Sequence, residues 1–227
     1  MEEVGLMYEE AFNPGYGGGI LSKVRIQQRL ESNDLVIRPI LEPEKQLNNT
    51  GFDFRLGYDF LVSVHGREAY MNASHNGESG YNVRGLKYHF QESRRQIGET
   101  FILHPSQTIL ATSLEYIRLP SDVMLMLFMR SSYSRLGLAV STIVQPGYCG
   151  CISLELTNNN FTPINLTVGA RLFQGVFQQV SESTDYYCAP RKYSCQVRPE
   201  ASSALEDTDL KVLNDIWKDE THGGVAP

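Results

Sequence analysis

The sequence predicts an all-β fold of the barrel or jelly-roll kind with minor helices, and three observations carry that expectation. Short alternating or apolar segments recur at regular spacing between Pro, Gly and Asn punctuation. One run, residues 123–129, is continuously apolar. Helical periodicity is confined to the two ends of the chain. Near the start, Ser22 can cap a helix whose Ile26 and Leu30 share a face, and Asn33-Asp34 ends it. Leu35-Val36-Ile37 then begins a strand that Pro39 closes. After Asn48-Asn49-Thr50-Gly51, Phe52, Phe54 and Leu56 alternate with Asp53, Arg55 and Gly57, the period of a strand. Residues 66–98 are polar and read as a long loop or weak hairpin, a length that suits a functional or oligomer-contact role. Strands resume at residues 101–103, 108–112 and 114–119, with Pro105 and Pro120 between and after them. The run at 123–129 suits a strand buried on both faces, one toward the core and one toward a subunit interface. Further strands fall near 151–157, 164–166 and 172–180. At residues 207–219, Leu210, Leu213 and Trp217 lie on one helical face that Asp207 or Thr208 can cap, so a C-terminal helix is expected to dock on its own or a neighbouring domain.

The chain has 227 residues, of which 41% are apolar and 20% charged, which is a globular composition rather than a disordered one. Its formal net charge of −6 argues against a duplex nucleic-acid binder, which carries a basic stripe, but leaves room for a small anion held by a few Arg and Lys. No apolar run reaches the roughly 18 residues of a membrane span, and Met1-Glu2-Glu3 lacks the basic start of a signal peptide, so a cytoplasmic protein is expected. In that compartment Cys149, Cys151, Cys188 and Cys195 are expected as free thiols. Cys149-x-Cys151 has no second Cys or His pair at ligand spacing, and there is no His-x-Glu with a downstream Pro-Cys-x-x-Cys, so no zinc is expected. Phosphate-loop and dinucleotide fingerprints are missing.

Three groups of residues carry chemistry. Arg130-Ser131-Ser132 follows the apolar strand, and a guanidinium with two hydroxyls in a turn can clamp phosphate oxygens; the tripeptide alone equally describes a capped turn. Period-2 alternation puts Ile152, Leu154 and Leu156 on one face and Cys151, Ser153 and Glu155 on the other. A lone strand Glu is ordinarily solvated, but in a pocket at a subunit junction Glu155 becomes an acid–base group. Tyr186-Tyr187, Arg191-Lys192-Tyr193 and Gln196 form a polar aromatic tail that could fold over a nucleotide or remain a surface loop.

In chain order these segments resemble the dCTP deaminase branch of the dUTPase-like trimeric family. The resemblance runs through Ile20-Leu21-Ser22, Asp34-Leu35-Val36-Ile37-Arg38-Pro39, Gly51-Phe52-Asp53-Phe54-Arg55-Leu56-Gly57, Phe101-Ile102-Leu103-His104-Pro105 and Ala111-Thr112-Ser113-Leu114-Glu115. Its most specific parts are Arg130-Ser131-Ser132-Tyr133-Ser134-Arg135-Leu136-Gly137-Leu138 and Pro146-Gly147-Tyr148-Cys149-Gly150-Cys151-Ile152-Ser153-Leu154-Glu155-Leu156, and it ends at Lys192-Tyr193-Ser194-Cys195-Gln196. The resemblance implies a distorted jelly-roll β-barrel at residues 20–197, flanked by extensions at 1–19 and 198–227, assembled as a homotrimer with its sites at subunit junctions. It implies hydrolytic deamination of dCTP to dUTP and ammonia. Arg130, Ser131 and Ser132 would hold the triphosphate, and Tyr187, Lys192 and Gln196 would belong to a closing arm. Glu155 would be the acid–base residue, with Ser131 and Arg135 arranging the site and its water. Magnesium would arrive on the nucleotide, and dUTP or dTTP are further candidate ligands.

The sequence also departs from the family. The segment Ala139-Val140-Ser141-Thr142-Ile143-Val144-Gln145, which lines the base pocket, is shorter than usual, and Gln145 stands where the family carries Asp before Pro-Gly. In related dUTPases an Asp in this region activates the hydrolytic water. Two alternatives therefore accompany the deaminase reading: a dUTPase-like pyrophosphatase, and a catalytically impaired nucleotide-binding sensor trimer.

Overall fold

The computed structural model describes residues 18–64, 71, 73, 86–189, 191–204 and 207–222. The expected arm at residues 1–17 and most of the segment 65–85 lie outside them. The architecture is mostly β. One large sheet runs β10(Ser141–Val144)–β8(Val123–Met129)–β13(Arg171–Gln179)–β4(Gly51–Ser63)–β7(Thr108–Arg118)–β11(Cys149–Asn158)–β9(Leu138–Ala139). Short strands β1(Gly19–Ile20), β2(Val36–Arg38), β3(Leu47–Asn48) and β5(Phe90–Arg94) pair onto β13, β7, β4 and β4, and β6(Thr100–Leu103) pairs with β12(Ile164–Thr167). The two ends of the path, β9 and β10, are consecutive in the chain with Val140 alone between them. The sheet therefore curls on itself into a nearly closed barrel.

Strand β4 makes the curl possible. Its first half pairs with β13 and its second half with β7, with a register shift between Leu56 and Phe60. Gly57 sits at that shift, where a Cβ would lie 2.6 Å from the Thr112 carbonyl oxygen, so only glycine lets the two strands approach. The interior is filled by Phe52, Phe54, Phe60, Phe173 and Phe177, with Leu125, Ile117 and Ile152, all essentially inaccessible. Each large side chain of this kind contributes roughly 2–3 kcal/mol on burial. The helix α1(Lys23–Glu31) forms as expected: Ser22 Oγ accepts from the Arg25 amide, Ile26 is buried, and Asn33 (φ 56°) turns the chain out.

Several expectations change against the structure. Within the polar stretch 66–98, Leu86–His89 forms a tight turn and Phe90–Arg94 the strand β5; an edge strand open on both faces has no apolar alternation to read. The two strands expected at 108–112 and 114–119 are one, Thr108–Arg118. Its irregularity at Ser113–Glu115 is a bulge, stitched by Ser113 Oγ, which donates to the Glu115 carbonyl at 2.6 Å and accepts from the Ile152 amide at 2.8 Å. Two four-residue helices, α2(Pro43–Gln46) and α3(Ser131–Ser134), are too short to show a helical period. Within one chain β8 is buried on one face only: Val123, Leu125 and Leu127 point inward, Met124 and Met126 are half-buried, and Phe128 is 47% exposed. The C-terminal helix α4(Thr208–His222) forms, and Val212, Leu213, Ile216 and Trp217 on it remain at least half exposed. The side chain of Leu210 lies outside the described residues.

A buried carboxyl at the bulge makes stability depend on pH. Glu115 has no exposed surface; it accepts from the Gln46 side-chain amide at 2.8 Å and from the Arg55 backbone amide at 2.9 Å. Burial pushes its carboxyl from an ordinary 4.5 up to about 7, against the opposing effect of those donors. The folded state thus holds a proton that the unfolded chain gives up near pH 4.5. The contribution is fully present below that pH and is lost as pH rises through about 7. The loss at full ionisation is about 3 kcal/mol. Urea unfolding followed from pH 4.5 to 8 should show this decline, and Glu115→Gln should flatten it while lowering stability throughout, because its NH2 group meets an N–H donor.

Candidate active site

The near-closure of the barrel places β10 beside β11 and opens a cleft of about 500 Å³ between them. Its walls are Thr142, Ile143, Val144 and Gln145 from β10 and its exit, Ser153 and Glu155 from β11, and Tyr148 from the turn that enters β11. The alternation read in the sequence holds: Ile152, Leu154 and Leu156 are core, while Ser153 is half-buried and Glu155 is open to the cleft. Glu155 is oriented from the side, since Thr142 Oγ1 lies 3.2 Å from Glu155 Oε2 and 3.3 Å from the Ser153 carbonyl oxygen.

The third wall comes from the C-terminal segment. Tyr186, Tyr187 and Tyr193 line the cleft, joined by Pro199, Glu200 and Ser202 from beyond residue 197. Tyr187 packs edge-on to Tyr148, with ring centroids 5.7 Å apart, and to Tyr186 at 5.0 Å. Burial raises the Tyr148 phenol far above its usual range and the Tyr187 phenol to about 12, so both remain protonated hydrogen-bond donors at neutral pH. The Tyr148 hydroxyl donates to the Cys151 carbonyl at 2.7 Å, which fixes the start of β11. Gln196 does not line the cleft. Its buried side chain accepts from Ser153 Oγ, and its backbone oxygen accepts from the Cys151 amide at 2.7 Å, so it pins the segment onto β11. Lys192 is engaged outside the cleft, where its Nζ donates to Asp207 Oδ1 at 2.8 Å and to the Ser203 carbonyl at 3.0 Å.

Arg130, Ser131, Ser132 and Arg135 gather at α3, beyond the end of β8. The pairing Phe128↔Ser141 to Leu125↔Val144 puts α3 past one end of β10 and Gln145 past the other. At about 3.3 Å per residue Gln145 lies more than 10 Å from α3, whereas Thr142, paired with Leu127, stands near the α3 end of β10. Ser131, Ser132 and Arg135 are exposed. Arg130 is held from behind: its Nε lies 3.0 Å from Asp53 Oδ2 and its Nη1 donates to the Arg171 carbonyl at 3.0 Å. Arg171 also contacts Asp53, at 3.5 Å. Asp53 is almost fully buried; desolvation raises its carboxyl, and the two guanidiniums oppose that shift. A guanidinium so aligned, two exposed hydroxyls and the first amides of a helical turn can all donate to phosphate oxygens.

The structure thus brings Glu155, Gln145 and Tyr187 into one cleft and Arg130, Ser131, Ser132 and Arg135 into one cluster, and none of the cluster residues lines the cleft. Sequence reasoning missed Asp53 and Thr142 as the residues that orient Arg130 and Glu155. The only available signal for Asp53 was a carboxylate in the midst of an apolar strand.

The sequence model described as dCTP deaminase-like matches residues 20–180. A protein of Dictyoglomus turgidum named dCTP deaminase, dUMP-forming, is 37% identical over 199 residues, 85% of this chain and 98% of that one. A dCTP deaminase of Haloarcula marismortui is 34% identical over 197 residues, 84% of this chain and 97% of that one. Among solved structures, the 2'-deoxycytidine 5'-triphosphate deaminase from Agrobacterium tumefaciens superposes with a TM-score of 0.54 at 22% identity, over 72% of this chain and 49% of that one, which speaks for the shared fold. With a family match across most of the barrel and relatives aligned nearly end to end, the chain belongs to the dCTP deaminase-like family.

Proposed function

We propose that this protein is a dCTP deaminase, which replaces the 4-amino group of the cytosine with oxygen from water and releases dUTP and ammonia. The observation that carries the reading is Glu155, a carboxylate held by Thr142 and lining a cleft walled by tyrosines. Water is too weak a nucleophile to add to C4 unaided. Glu155 takes its proton as the C4–O bond forms and delivers protons to N3 and then to the departing amine. The tyrosine wall supplies apolar surface and phenolic donors for the base, which keeps C4 beside the carboxylate.

The Arg130-Ser131-Ser132 cluster binds the triphosphate, and Arg135 beside it orders the site. None of the cluster residues lines the cleft, so the complete site takes the cleft of one subunit and the cluster of another. The exposed apolar face of β8 (Met124, Met126, Phe128) supplies the surface of a homotrimer. The cluster is made of donors rather than carboxylates, so magnesium would be held by the triphosphate oxygens. Among the described residues no helix is long and apolar enough to cross a membrane, and a deoxynucleotide substrate assigns the enzyme to the cytoplasm. Residues 20–197 form the catalytic domain, with 198–202 adding to the cleft wall.

Relatives bear both names, dCTP deaminase and dCTP deaminase, dUMP-forming. Gln145 favours the first: a carboxamide cannot accept the proton of a water attacking phosphorus. The test is to incubate the full-length protein and magnesium with dCTP, and separately with dUTP, and to resolve the nucleotides by chromatography. The expected result is dUTP from dCTP, with added dUTP left intact and a solution mass of about 77 kDa, three times 25.6 kDa. Accumulation of dUMP would favour the two-step reaction. No product from either nucleotide would overturn the enzymatic reading.

A further inference from the structure

We propose that Cys149 and Cys195 are a paired oxidation site: they close into a disulfide that ties the C-terminal arm to β11. Their Sγ atoms lie 2.7 Å apart, close to the approximately 2.05 Å of a sulfur–sulfur bond. The approach is built into both segments. Cys149 is the first residue of β11, and Cys195 occupies a left-handed turn at φ 57°. Between them the arm lies directly on the strand. The Gln196 carbonyl accepts from the Cys151 amide at 2.7 Å, and Gln196 packs its side chain on Ser153. Gly150 (φ 142°) permits this contact, since a Cβ there would sit 2.7 Å from the Gln196 carbonyl oxygen.

Both thiols can be reached by a small oxidant, because Cys195 is exposed and Cys149 is partly so. Cys151 is two residues away with its thiol pushed up to about 11 by burial, and the hydrogen bond with Cys149 raises the Cys195 thiol as well, so the 2.7 Å approach is what selects the pair. The oxidant is a hydroperoxide. The thiolate of Cys195, the more exposed of the pair, attacks one peroxide oxygen, the O–O bond breaks, and Cys195 becomes a sulfenic acid as one water forms. Cys149 sulfur then attacks the Cys195 sulfur, the S–S bond forms, and the hydroxyl leaves as a second water. Two electrons pass from the thiol pair to the peroxide. A small-molecule dithiol reverses the step.

The consequence is mechanical and does not rest on the substrate assignment. The arm carries Tyr193, Pro199, Glu200 and Ser202 of the cleft wall. With the disulfide closed, the segment next to Gln196 cannot lift from β11.

The test uses the full-length protein, reduced, freed of reductant and treated with stoichiometric hydrogen peroxide. Remaining thiols are alkylated, and the non-reducing digest is read by mass spectrometry. The expected result is one linked peptide joining Cys149 and Cys195, with alkylatable thiols falling from the four of the sequence to two. Cys195→Ser and Cys149→Ser should each abolish that linkage. Hydrogen exchange at the Cys151 amide gives a second readout, and it should slow by about tenfold or more in the oxidised protein because the Gln196 carbonyl cannot leave. A linkage between any other pair, linkage between chains, or four alkylatable thiols under conditions that consume dithiothreitol would overturn the pairing. Unchanged exchange at Cys151 alongside a confirmed linkage would overturn the locking of the arm.

Discussion

Replacing Glu155 by Gln should lower dCTP turnover by about 10²–10⁴-fold, the range spanned by loss of a positioned general acid–base. The substitution is nearly isosteric, and Thr142 Oγ1 can still donate to the remaining side-chain oxygen. Glu155 also stands clear of the core on β11, whose inward residues are Ile152, Leu154 and Leu156. The thermal midpoint should therefore move by no more than about 2 °C, as for a surface change of a few tenths of a kcal/mol. Nucleotide affinity should survive too, because the phosphate cluster is untouched. What disappears is the ability to take a proton from water and return it to the leaving amine, so the deficit should fall on kcat rather than KM. The check is a quenched time course of dCTP conversion beside equilibrium binding of dCTP to the variant. Turnover at the wild-type rate would remove Glu155 from the chemistry and direct attention to the tyrosine wall.

Much of this arrangement was legible before any coordinates, and the reasons are physical. Period-2 alternation on β11 separates Glu155 from the core without reference to any other strand, because a pleated strand has only two faces. The helix that Ser22 caps was equally legible, since cap, apolar face and terminator all lie within a dozen residues. Contacts made by distant segments were not. Thr142 and Glu155 meet because β9 and β10 close the barrel, which neither segment announces. Tyr193 and Ser202 reach the cleft because Gln196 is pinned to β11, a pairing across 43 residues. The run at 123–129 shows the opposite limit. Its composition fits burial on both faces, but one chain buries only one of them and leaves Met124 and Met126 half-buried and Phe128 exposed.

The ion cluster behind the proposed phosphate site carries the second large prediction, because it joins stability to binding. Asp53 is the one carboxylate between Arg130 and Arg171 among the described residues, at 3.0 Å and 3.5 Å. Asp53→Asn keeps the volume and the contact with Asn48 but leaves two guanidiniums facing one another beside a neutral amide. Breaking a fully buried pair costs about 3–5 kcal/mol. Here the Arg130 and Arg171 side chains are 32% and 22% exposed, so solvent recovers part of that, and a loss of about 2 kcal/mol is expected. For a chain of this size that lowers the thermal midpoint by roughly 4–8 °C. The released Arg130 retains its charge but loses its direction, and a bidentate grip on phosphate depends on direction. Triphosphate binding is shared by ground and transition states, so KM for dCTP should rise about tenfold or more while kcat changes less. Asp34→Asn is the matched control: its pair with Arg29 is a surface contact at 2.7 Å with Asp34 47% exposed, and neither stability nor KM should shift appreciably. A lower midpoint with unchanged KM would make Asp53 a purely structural anchor. Changes in both, absent from the control, would show that the fold's charge cluster also aims the residue that grips the substrate.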